Sequence, residues 1–182
     1  MSDFVYFAYG SNMLIARLRE RCPSARPLGL ALAPAYRVAF NKQGMDGSGK
    51  ATLTALEPFQ EKHPPYPPAF GWTGARGVLY RIDMGERAAL DRAEGNYRRD
   101  DAFAVLCAQS GKPITACTYI AEPQACRDDL VPLNWYVALM RAGAIEHGQD
   151  ADYIAWLSAI ETCNDPDLQR AARMAALAQP HR

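Results

Sequence analysis

Two short stretches of this 182-residue chain hold residue types suited to proton transfer and to binding negative charge. The first is Leu90-Asp91-Arg92-Ala93-Glu94-Gly95. Leu90, Ala93 and Glu94 stand at i, i+3 and i+4, so on a helix the carboxylate shares the stripe whose apolar members face the core. Gly95 is a helix stop, which puts Glu94 in the last turn, where the negative end of the helix dipole opposes ionisation. Burial and dipole together raise its pKa, the direction that makes a carboxylate a useful proton acceptor near neutrality. The competing placement turns Glu94 outward to pair with Arg98 or Arg99. The second stretch is Tyr9-Gly10-Ser11-Asn12, which ends the apolar run 4–9. With Gly10 free to take positive φ and a helix starting near Asn12, its backbone N–H groups would be left for an outside acceptor. A carboxylate or a developing oxyanion fits such a turn. The plainer reading is an ordinary strand-turn-helix junction with a Ser or Asn cap.

Other chemistries fall away. The five cysteines, Cys22, Cys107, Cys117, Cys126 and Cys163, are odd in number and form no C-x-x-C pair, which argues against a disulfide framework or structural zinc and fits a reduced cytoplasm. His63, His147 and His181 are scattered, without partners at metal-ligand spacing. Gly44 to Lys50 has the G-x-x-x-x-G-K core of a phosphate loop, but Ala51 stands where a hydroxyl would hold magnesium, and a strand-like segment follows. A glycine-rich hairpin connection is the better reading. No G-x-S-x-G elbow is present and no cysteine has a recognisable histidine partner, so an enzyme built on this chain need not supply the nucleophile itself. Lys+Arg and Asp+Glu both number 20, leaving no global field to gather nucleic acid or anionic lipid. No apolar run approaches the ~20 residues of a membrane span, and the N-terminus lacks a basic, then apolar, leader. The expectation is a soluble cytoplasmic protein with neither nucleic-acid nor membrane partner.

The elements that must position these residues follow from periodicity. A buried strand over 4–9 leads through the Gly-Ser turn into a helix beginning with Asn12, Met13 and Leu14. Strands are predicted at 27–33, 36–41, 51–57, 75–82, 102–108 and 114–121. Between the fourth and fifth of these lies a helix for which Asp83 and Glu86 form a capping box and Gly95 the stop. Beyond Pro132 the chain is helical, the last helix starting at an Asp165 cap with Pro166 in its first turn. The proline-rich segment 61–74 reads as a long loop, a candidate lid or an inert excursion. Strands first and long helices last give one α+β domain spanning 1–182, with helices laid against a curved or closed sheet. Leu168, Ala172, Met174 and Leu177 can pack on the core or on a second chain, leaving monomer and homodimer both open.

Three segments resemble the γ-glutamylcyclotransferase family: "YFAYGSNM" its N-terminal signature, "GVLYRIDMGERAALDRAEG" the segment with its acidic residue, and the stretch from Pro132 through Glu161 its C-terminal helices. The likeness runs in order over roughly residues 4–165. It implies a small closed mixed β-barrel flanked by helices, no metal and no organic cofactor, and release of 5-oxoproline from a small-molecule γ-glutamyl substrate. By the same resemblance, Tyr6, Phe7, Ala8, Tyr9, Gly10 and Ser11 hold the γ-glutamyl group, Glu94 is the general acid/base and Tyr136 contacts substrate. Asn12 and Met13 complete the signature as supports, Asn12 counted with the substrate-binding set. Tyr97 follows the acidic residue through a short connection that leaves its register open. In such a reaction the substrate's α-amine attacks its own γ-carbonyl, in keeping with a protein that carries no evident nucleophile. Two alternatives share the fold: a module that binds an amino-acid-like ligand without turning it over, and a relative that trims γ-glutamyl groups from a biosynthetic intermediate.

Overall fold

The computed structural model describes residues 2–56 and 74–179. Five strands close into a barrel in the order β1 (Asp3–Ala8), β5 (Ala75–Asp83), β2 (Arg26–Ala33), β6 (Tyr97–Cys107), β7 (Pro113–Ala121). Neighbours along this order are antiparallel. The seam between β1 and β7 is parallel, with Tyr6 opposite Cys117. The expected mixed closed barrel is therefore present. Closure removes the sheet edges that an open five-stranded sheet would expose. Two further strands among the described residues, β3 (Tyr36–Gln43) and β4 (Gly49–Ala55), form a separate hairpin. Their connection is the glycine-rich stretch, pinned by the Gly44 N–H on the Ser48 carbonyl at 2.8 Å, and it is no phosphate loop.

Among the described residues the α-helices are α1 (Ile15–Arg19), α2 (Arg87–Ala93), α3 (Asn134–Glu146), α4 (Ala151–Ser158) and α5 (Leu168–Leu177). In α3, Trp135, Tyr136, Leu139, Met140, Gly143 and Ala144 are buried, the i, i+3, i+4 pattern of a helix pressed on a core. A Cβ on Gly143 would stand 2.4 Å from the Leu14 nitrogen, so only glycine lets α3 approach the segment after β1 so closely. The Tyr80 hydroxyl, donating to the Met13 carbonyl at 2.5 Å, and the Ile15 N–H, donating to Glu146 Oε2 at 3.0 Å, fix that segment from two other elements. In α5, Met174 is 4% exposed and Leu168 79%, so the helix packs on the core along one side and opens to solvent at its start.

Several local expectations are corrected. The helix after β1 is split into a 3-10 turn, Ser11–Met13, and α1, with Leu14 extended between them. Asp83 and Glu86 form no capping box, because Glu86 is engaged by the Ser24 backbone N–H and hydroxyl. The left-handed residue after α2 is Asn96, at φ 64°, instead of Gly95. The cap of α5 is Asp167, whose carboxylate accepts from the Arg170 N–H at 3.0 Å, while Asp165 turns inward. Of the loop 61–74, residues 61–73 lie outside the described residues.

Candidate active site

The N-terminal turn and the end of α2 meet in one pocket. It is lined by Tyr6, Tyr9, Gly10, Ser11, Asn12, Ala51, Glu94, Tyr97, Tyr119 and Tyr136, and encloses about 310 Å³ including its open mouth. Glu94 is the first residue past α2, its N–H still donating to Leu90 O at 3.1 Å. The reversal at Asn96 then returns the chain into β6, which brings Tyr97 beside it. Glu94 is not turned toward the arginines that follow. Arg99 is taken by Asp91 and Asp101, and Glu94 Oε1 accepts from Asn12 Nδ2 at 2.8 Å. Asn12 is 5% exposed and fully engaged: its amide also donates to the Tyr6 hydroxyl at 3.1 Å, and its Oδ1 accepts from Arg21 Nη1 at 2.8 Å.

Burial raises the pKa of Glu94 above the ordinary carboxylate value; Arg21, the Asn12 hydrogen bond, Lys42 and Arg17 pull against it. The predicted direction is present, with desolvation as its main cause. The tyrosine hydroxyls are held protonated for the same reason. Burial, reinforced by the charge of Glu94, pushes Tyr6 and Tyr9 well above their usual value. Tyr136 is pushed up to about 12 by burial, with hydrogen bonding from Ala51 and Ser11 opposing. These hydroxyls therefore stay neutral around the Glu94 carboxylate.

The strand and hairpin hold the remaining walls. Tyr136 Oη accepts from the Ala51 N–H at 3.1 Å, and the Tyr97 hydroxyl donates to the Ala51 carbonyl at 2.8 Å. One residue of the hairpin thus fixes two tyrosines, one from α3 and one from β6. The Tyr9 hydroxyl donates to the Tyr119 carbonyl, and the Tyr119 hydroxyl to Asp91 Oδ1 at 2.7 Å. Gly10 has φ −108°, so the expected positive φ is absent; it lies instead where a Cβ would stand 3.0 Å from Tyr136 Oη. The glycine is there for close approach to α3.

The pocket gathers Tyr6, Tyr9, Gly10, Ser11, Asn12, Tyr136 and Glu94 of the expected set. It does not gather Phe7 and Ala8. Both have no exposed surface: Phe7, on the face of β1 opposite Tyr6, stacks on Phe103 with 6.1 Å between ring centres, whereas Ala8, on the Tyr6 face, is covered over. Tyr97, whose register the sequence leaves open, lines the wall. Tyr119 and Ala51 are additions. The alternation over Cys117, Tyr119 and Ala121 signals the first, whereas the role of Ala51 lies in its backbone and leaves no side-chain signal.

Residues 75–157 match the AIG2-like family. The chain is 30% identical over 168 residues to human (Homo sapiens) γ-glutamylcyclotransferase, an alignment covering 87% of this chain and 79% of that protein. The chain belongs to the γ-glutamylcyclotransferase family. The mouse (Mus musculus) γ-glutamylcyclotransferase is likewise 30% identical, over 167 residues, again covering 87% of this chain and 79% of that protein. A solved γ-glutamyl cyclotransferase structure superposes with a TM-score of 0.74 at 22% identity, covering 94% of this chain and 99% of that one, which establishes the shared barrel fold. The family match begins at β5 and takes in α2 and Glu94, while the N-terminal half of the pocket comes from β1 and the turn after it.

Proposed function

We propose that this γ-glutamylcyclotransferase releases 5-oxoproline from small γ-glutamyl amino acids or amines, with Glu94 as general acid/base. The observation that carries the reading is the meeting of Glu94 with Asn12, of the turn after β1, at 2.8 Å inside a pocket otherwise walled by neutral hydroxyls and backbone. The reaction needs no protein nucleophile. The substrate's α-amine bonds to its own γ-carbonyl carbon, the bond from that carbon to the departing amine breaks, and a five-membered lactam closes. The attacking ammonium sheds two protons on becoming the lactam N–H, and Glu94 takes them in turn and returns them to the departing nitrogen, which leaves as an ammonium, a service typically worth about 10²–10⁴ in rate. Its raised pKa suits both halves of that exchange. The close walls of the pocket hold the flexible γ-glutamyl chain curled, drawing on proximity effects that reach about 7–11 kcal/mol in well-aligned cases. Gly10 and Ser11 receive the α-carboxylate or the oxyanion that develops on the γ-carbonyl.

The test is Glu94→Gln, assayed for 5-oxoproline over a panel of γ-glutamyl amino acids, γ-glutamyl amines and glutathione. Turnover is expected to fall by about 10²-fold or more with the fold intact. Retained turnover in a folded variant would remove Glu94 from the mechanism, and unchanged recovery of every tightly bound γ-glutamyl compound from the wild type would replace the enzyme by a binding module.

A further inference from the structure

Arg21 lies in the turn after α1, its backbone N–H anchored on Leu18 O at 3.0 Å and its side chain half-buried. Arg17 meets Glu20, Arg99 meets Asp91 and Asp101, and Arg170 meets Asp165, while Arg19 forks onto the Ala25 carbonyl. Among the described residues, no carboxylate stands within ion-pair distance of Arg21; its Nη1 is directed to the neutral Oδ1 of Asn12, at 2.8 Å. An amide oxygen is a weak counter-charge for a guanidinium, so ion pairing does not explain the arrangement. Its consequence for Asn12 does. With Oδ1 held by a cation, the amide cannot rotate to present oxygen to the carboxylate, and its NH₂ is fixed toward Glu94 Oε1 at 2.8 Å and the Tyr6 hydroxyl at 3.1 Å. Both amide hydrogens are then in use, and the carboxylate has one defined donor.

We propose that Arg21 is a positioning residue for proton transfer, acting through Asn12 to hold the Glu94 carboxylate in one orientation. The inference rests on the acid/base reading of Glu94. Its charge has a second effect, since Arg21 is the foremost influence opposing the upward push of burial on Glu94. Lys42 and Arg17 act in the same sense more weakly, and Tyr6, Tyr9, Tyr97, Tyr119 and Tyr136 line the same pocket as neutral groups. Arg21 thus draws the Glu94 pKa back toward the ordinary carboxylate value against the push of burial.

The experiment compares wild type, Arg21→Met and Arg21→Lys as full chains. The Glu94 titration is followed by carboxyl-carbon NMR, with its signal assigned by its loss in Glu94→Gln, and kcat and KM for γ-glutamyl-alanine are followed against pH. In Arg21→Met the titration midpoint and the acid limb of kcat/KM should move together to higher pH. Toward the acid end kcat should drop about tenfold, a fraction of what the acid/base itself contributes, with KM changed less than about twofold. Arg21→Lys should return the midpoint toward wild type, because the charge is restored. Where Arg21→Met does not fold, Arg21→Gln takes its place. A folded variant lacking the guanidinium whose titration and acid limb stay where they were, with activity scaled down equally at every pH, would overturn the proposal. If the wild type forms no 5-oxoproline, the catalytic reading of Glu94 falls, while the NMR titration still decides whether Arg21 governs that carboxylate.

Discussion

Glu94 is a half-buried carboxylate and Asp165 a buried one, and they are treated oppositely. Asp165, 4% exposed, accepts from Trp135 Nε1 at 2.6 Å, from two nitrogens of Arg170 at 2.6 Å each, and from the Asp167 N–H at 2.9 Å. Its carboxyl is held far below the usual range, chiefly by the Arg170 hydrogen bonds. Glu94, among the described residues, accepts one hydrogen bond, from a neutral amide, and burial raises its pKa. The difference lies in how far the fold satisfies the charge. A carboxylate given a guanidinium fork and an indole N–H is a fixed structural anion, whereas one given a single amide has its pKa pushed upward by burial that the fold leaves largely uncompensated.

Exchanging each acid for its amide sharpens this contrast most. Glu94→Gln should lower turnover by about 10²-fold or more and leave the melting temperature equal or higher, since it removes a poorly solvated charge. The pH dependence has a definite sign. A carboxyl whose folded pKa is raised costs the native state stability as pH climbs from the ordinary carboxylate value through the folded one, so the advantage of Glu94→Gln should grow over that interval. Calorimetric melting of both proteins across about pH 4–8 checks it. An advantage that shrank with rising pH would reverse the assignment.

Asp165→Asn should do the opposite. Melting should fall by several degrees, because Arg170 loses its partner, while turnover per folded molecule stays within about threefold of wild type. Here the folded pKa is depressed, so the stabilisation is complete above the ordinary carboxylate pKa and is lost as pH falls through the folded value. The gap between wild type and variant should therefore close in acid. A turnover loss as large as that of Glu94→Gln would break the division between a structural and a chemical acid.

The inward turn of Glu94 was legible only in part: its i+4 spacing from the buried Leu90 pointed inward, but Ala93, read as a member of the same core-facing stripe, is exposed, and Glu94 stands just past the end of the helix. The barrel, too, was legible as a run of strands, although only long-range pairing such as Tyr6 with Cys117 decides that it closes. Sequence spacing misplaced what depends on competition between partners. Asp165 precedes a proline and reads as a cap, but Arg170 and the Trp135 indole take its carboxylate and leave the cap to Asp167. Glu86 is drawn off in the same way by Ser24. Phe7 and Ala8 sit inside the signature, yet both are buried without lining the pocket, so the motif contributes their backbone and packing and its polar end lines the pocket. The carboxylate's link to Arg21 was invisible, being carried by Asn12 across an interval that no helical or strand period connects.

The smallest effect separates two lysines that face each other across the hairpin. Lys42 and Lys50 are register partners on β3 and β4, but Lys50 is paired with Asp46 Oδ2 at 2.8 Å and with the Ser48 hydroxyl at 2.7 Å. Lys42 is 6% exposed, its ammonium 4.7 Å from the centre of the Tyr97 ring, and among the described residues no carboxylate stands within ion-pair distance of it. The ring face offsets part of the lost hydration, and the rest of the charge is felt at Glu94. Lys42→Met should therefore move the Glu94 titration upward by less than Arg21→Met does and reduce kcat/KM at the acid end by about threefold, with melting unchanged or higher. Lys50→Met should leave that titration in place and lower the melting temperature, because it strands a half-buried Asp46. Equal displacement of the titration by the two substitutions would mean that the hairpin acts on Glu94 through its general field, and that the difference in pairing between the two lysines is immaterial to the site.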